Sequence, residues 1–156
     1  MSETRCPECH RAIAGGLAAC QADFEALQGR ELTDPSSYAI HRLAVDAYSL
    51  QHPERYCRSS KSYAAHLTGM LAAMEHASKP EVLRALQRWL SSGPTLEKPP
   101  LPDSRGKLTI ASVLASPDRL AMDRAIRAWG ESAWAAYAPW HELARRWAST
   151  AFAARR

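Results

Sequence analysis

The chain has no run approaching the roughly 20 apolar residues that a membrane-spanning helix needs. Its opening, MSETRCPECHRAIAGG, has no apolar stretch like that of a secretion signal. A cytoplasmic protein without a membrane partner is therefore expected. No Gly-rich phosphate loop, Walker motif, Gly-x-Ser-x-Gly elbow or His-Glu-x-x-His helix occurs, so the common enzyme signatures are absent and enzymatic activity stays an open question. There is no strand-like alternation of useful length, no Asn-Gly or Asp-Gly hairpin signal and no internal repeat. Charge of one sign is not concentrated either. The 20 Lys and Arg residues are interspersed with 16 Asp and Glu, net +4, so a nucleic-acid face is not expected. Only four cysteines are present, too few for a disulfide scaffold, and in a reducing compartment a close pair of them favours metal or redox chemistry.

What is present is the composition of a packed protein: 156 residues, 46% hydrophobic and 23% charged, enough for one domain with one core. Residues 1–14 carry Cys6-Pro7-Glu8-Cys9 without helical periodicity. Gly15-Gly16 then release the chain into the stripe Leu17, Cys20, Phe24 and Leu27. Asp34-Pro35-Ser36 caps a second helix, whose Ile40, Leu43, Ala44, Ala47 and Leu50 repeat at three and four until His52-Pro53. Tyr63, His66, Leu67, Met70, Leu71 and Met74 share one face of a third helix. Pro80 opens a fourth, with Val82, Leu83, Leu86, Trp89 and Leu90. Residues 93–107, with Pro94, Pro99, Pro100 and Pro102, are expected to form an extended crossover. Beyond Thr109–Leu114, Ser116-Pro117-Asp118 caps a long final segment that Pro139 kinks or divides. The expected fold is an all-α, single-domain bundle of about five helices with an irregular cysteine-containing N-terminus.

The Cys6-x-x-Cys9 spacing lets two thiolates reach one tetrahedral Zn²⁺, which is half a site. Cys20, His52, Cys57 and His66 are candidates for the remainder. Each has an alternative: Cys6 and Cys9 as surface thiols, His52 as a helix-terminal cap, His66 as a core histidine satisfied by one partner. If the second and third helices form an antiparallel hairpin, Asp46 comes level with His66, as an orienting carboxylate or a plain ion pair. His41 and His52 are eleven residues apart, roughly 16 Å along a helix, too far to share an ion. Trp129, Trp134, Trp140 and Trp147 fall at helical spacing and read as core packing. Arg145-Arg146 and Arg155-Arg156 read as a solvated face.

Taken together, these segments resemble a family of uncharacterised bacterial proteins classed as a domain of unknown function. The resemblance lies in the CPxC motif at Cys6–Cys9, the cysteine segment at Cys20, the run LAVDAYSLQHP at 43–53, the pair His66-Leu67, the Trp-rich 129–134 and His141. Trp140 stands where another histidine is expected beside His141, and Cys57 matches no motif position. The resemblance implies Cys6, Cys9, Cys20, Asp46, His52 and His66 as the functional group and implies no activity.

The expectation is that the N-terminal segment folds back onto the turn after His52, where Cys6, Cys9 and two of Cys20, His52 and His66 bind structural zinc in a binding or regulatory module. The competing reading is a metal-dependent enzyme with an open coordination position and Asp46 or His141 as general base. The partner is unspecified: another protein or a second copy.

Overall fold

A computed structural model describes residues 4–31 and 38–154. The cap at Asp34-Pro35-Ser36 and the doublet Arg155-Arg156 lie outside them. The described residues form α1 (Gly16–Glu31), α2 (Tyr38–Gln51), α3 (Pro53–Tyr56), α4 (Ser60–His76), α5 (Pro80–Ser91), α6 (Ile110–Leu114), α7 (Arg119–Ala136), a 3₁₀ turn (Ala138–Trp140) and α8 (His141–Ala153). The all-α class holds, and none of these helices is long and apolar enough to cross a membrane. Eight α-helices replace the five expected, and proline accounts for much of the difference. Pro53 stops α2 and takes the first position of the one-turn α3, where its missing N–H costs nothing. Pro139 divides the last segment through the 3₁₀ turn into α7 and α8. Thr109, whose side chain accepts from Ala111 N, opens the short α6.

The helix faces follow the apolar spacing. Ile40, Leu43, Ala44, Ala47 and Leu50 of α2 are buried, as are Tyr63, Leu67, Met70 and Leu71 of α4. α2 lies between α4 and α7. α5 and α8 pack on α4, α6 on α7, and α1 against α2 and α6. A Ser59–Ser62 capping box starts α4, and Asp118 accepts from Ala121 N to start α7. Trp89, Trp129, Trp134 and Trp147 are buried and Trp140 is half-buried. On the surface Arg145 pairs with Glu75 at 2.5 Å.

Residues 93–109 cross between α5 and α6 without regular structure, so their backbone groups need other partners. Buried Gln51 supplies several. Its Nε2 donates to Arg105 O (2.8 Å) and Leu108 O (2.7 Å), while its Oε1 accepts from Trp129 Nε1 at 2.8 Å. Ser132 Oγ accepts from the amides of Lys107 and Leu108, and Tyr63 OH donates to Pro100 O. Gly106, at φ +98°, lies so close to Ser132 O that a Cβ would collide with it. Tyr137 OH donates to Leu50 O at the end of α2.

Gln51→Leu keeps the volume but strands two carbonyls and the indole N–H. The variant is expected to lose roughly 2–5 kcal/mol in urea unfolding, whereas a loss below about 1 kcal/mol would show the crossover is held by packing alone.

Candidate metal centre

Residues 4–13 form a tight loop. Cys6 N donates to Arg11 O (2.8 Å), His10 N to Cys6 O (3.0 Å) and Ile13 N to Thr4 O (3.0 Å), with Arg5 and Ala12 in an isolated antiparallel bridge. His10 adopts φ +62°, the left-handed turn that folds the chain back just after Cys9. The loop holds both thiols on one side. Gly15 and Gly16, at φ +92° and +59°, then turn the chain into α1, which carries Cys20 on its buried stripe.

The fourth group comes from the end of α2. His52 Nδ1 lies 2.8 Å from Tyr48 O, which can only accept, so Nδ1 carries the proton and Nε2 presents its lone pair to the sulfurs. Nε2 is 3.5 Å from both Cys6 Sγ and Cys20 Sγ, and Cys9 Sγ is 3.9 Å from Cys20 Sγ. All four donor atoms lie within 4.8 Å of one another. Zinc–sulfur bonds of about 2.3 Å and a zinc–nitrogen bond of about 2.0 Å in a tetrahedron place sulfurs ~3.8 Å apart and sulfur and nitrogen ~3.5 Å apart. The cluster fits a metal site. Its members are buried, with exposures of 0% for Cys6, 4% for Cys9, 0% for Cys20 and 1% for His52.

The electrostatics of the protein-only cluster agree. Cys9 donates a hydrogen bond to Cys20. The bond pushes the Cys9 thiol far above its usual range and holds the Cys20 thiol well below. Burial raises Cys6. Sulfur anions are thus tolerated here only where a proton or cation stands between them.

Two features escaped the sequence reading. Phe24 stacks on Tyr48 (centroids 3.9 Å, 5°) and Tyr48 on His52 (3.8 Å, 20°), an aromatic wall one helical turn from Cys20 and His52 respectively. The i+4 spacings were the signal. Buried Glu8 accepts from Glu54 N at 2.9 Å through Oε1, capping α3 from inside the CPxC motif.

His66 is not brought into this group. Its Nδ1 donates to Asp46 Oδ1 at 2.9 Å, and Arg42 Nε donates to Asp46 Oδ2 at 3.2 Å. Asp46 is 1% exposed. It fits against α4 only because residue 69 is glycine, where a Cβ would overlap its Oδ2. His141 Nε2 donates to Trp134 O (2.8 Å) and its ring stacks on Trp134, so it serves the α7–α8 turn. Cys57 donates to Ser49 O, and burial lifts its thiol to about 12.

A family model described as "Family of unknown function (DUF5946)" matches residues 4–138, a span that includes all four donors and the Asp46–His66 pair. No curated protein and no solved structure matches the chain.

Gly69→Ala forces the Asp46 carboxylate away from α4. It is expected to cost about 1–3 kcal/mol in chemical unfolding without altering the metal content measured for the wild type; a lower metal content in the variant would show the two groups are one site.

Proposed function

The chain belongs to that family of unknown function, whose description supplies no activity, and we propose that it is a binding or regulatory module built around one structural zinc ion. The observation that carries the reading is the closed Cys6–Cys9–Cys20–His52 set: four protein donors converging in a corner that water barely reaches. Three thiolates and one imidazole are a common structural set for Zn²⁺, a d¹⁰ ion without redox chemistry of its own that accepts a tetrahedron of soft and borderline donors. Four protein ligands leave no position for an activated water, which separates this arrangement from a catalytic zinc.

Zinc would offset two of the three thiolate charges and join the N-terminal loop and α1 to the α2–α3 junction. Structural zinc contributes on the order of 10–16 kcal/mol in small finger peptides, ample to fix a segment of this size. The enzyme reading finds less support: Asp46 is committed to Arg42 and His66, and His141 to a backbone carbonyl.

Elemental analysis of untagged protein, purified without added metal, tests the proposal. About one zinc per chain is expected, lost in Cys6→Ser, Cys20→Ser and His52→Ala and kept in His66→Ala. A metal-free wild type with intact thiols overturns the metal reading, and loss in His66→Ala rather than His52→Ala overturns the ligand assignment.

A further inference from the structure

The four donors are divided unevenly: three come from residues 4–31 and one, His52, from the end of α2. That division follows a seam in the molecule. On the N-terminal side the ties are internal. The loop closes on its own backbone bonds, and Arg11 pairs with Asp23 at 2.6 Å, clasping the loop to α1. On the other side, the bonds of Gln51, Tyr63, Ser132 and Tyr137 run among α2, α4, α7 and the crossover without using any residue before 38.

Apart from the packing of α1 on α6, the set of hydrogen-bond and ring contacts described between the two sides is gathered at one corner. It comprises the metal cluster, the Glu8–Glu54 bond and the Phe24–Tyr48 stack, all within a turn or so of His52. Elsewhere α1 presents a narrow buried stripe of Cys20, Phe24 and Leu27, one member of which is itself a donor. A helix of 16 residues is marginal on its own in water. An open groove already follows the seam, with Pro7, Glu8 and Leu17 on one bank and Glu54, Arg55 and Arg58 on the other.

Resting on the zinc reading above, we infer that residues 4–31 are a metal-gated arm: bound metal docks them on α2 and α6, and metal loss releases them while α2 to α8 stay folded. The device makes metal availability a signal. Release uncovers the Tyr48 face of α2, and the α2–α8 bundle keeps its own hydrogen bonds throughout.

The test uses the full chain and two independent readouts. All five tryptophans lie between residues 89 and 147, so the tryptophan bands of the near-ultraviolet circular dichroism spectrum report the bundle and not the arm. Amide hydrogen exchange reports both. After a high-affinity zinc chelator, with metal removal verified by elemental analysis, exchange across 16–31 is expected to rise by an order of magnitude or more while the tryptophan signal and α4 and α7 protection hold; added zinc restores the arm. His52→Ala, which alters the bundle's only donor, should show the same pattern without chelator. Unchanged protection at 16–31 once metal is gone overturns the inference, as does collapse of bundle and arm together. A protein that carries no metal as purified overturns the zinc reading itself, and the elemental analysis tells that failure apart.

Discussion

Three thiols and an imidazole nitrogen within 4.8 Å, shielded from water, set the terms for the rest of the N-terminal architecture. Buried sulfur anions repel one another and pay heavily for lost hydration, so the group is stable only with protons or a metal cation among them. The tight loop at 4–13, the left-handed His10, the paired glycines and the aromatic wall of Phe24 and Tyr48 each serve to bring those donors to one point.

The end of α2 is where this corner meets the bundle. Within six residues Tyr48 orients the imidazole through its carbonyl and stacks on it, and Leu50 O is capped by Tyr137. Gln51 holds the crossover and Trp129, His52 faces the sulfurs, and Pro53 begins α3. Adjacent side chains thus divide between the cysteine–histidine corner and the tryptophan core. A shift of one residue there would misplace both. The Asp46–His66–Arg42 group sits on the same helix two turns earlier, a separate buried polar link between α2 and α4.

Much of this is legible in the amino-acid sequence. Helical spacing identified the faces of α2, α4 and α5, and the hairpin count placed Asp46 level with His66, as the 2.9 Å contact shows. Cys6-x-x-Cys9 marked the loop because two thiols at that spacing can reach one tetrahedral metal ion. Spacing alone left the completing donors open among Cys20, His52 and His66, since that choice depends on how α1 crosses the α2–α3 junction. Helix number was under-read because one-turn helices such as α3 have no periodicity to detect, and Pro53 looked like an end rather than a beginning. Gln51 gave no signal: a buried amide serving three distant partners has no local pattern.

The most direct test of the central claim is X-ray absorption at the zinc edge of the purified protein, which reads the coordination shell itself. The account predicts three sulfurs at about 2.3 Å and one nitrogen at about 2.0 Å with no light-atom ligand beyond the imidazole. Two sulfurs with additional oxygen or nitrogen neighbours would mean an open or differently built site and would contradict it.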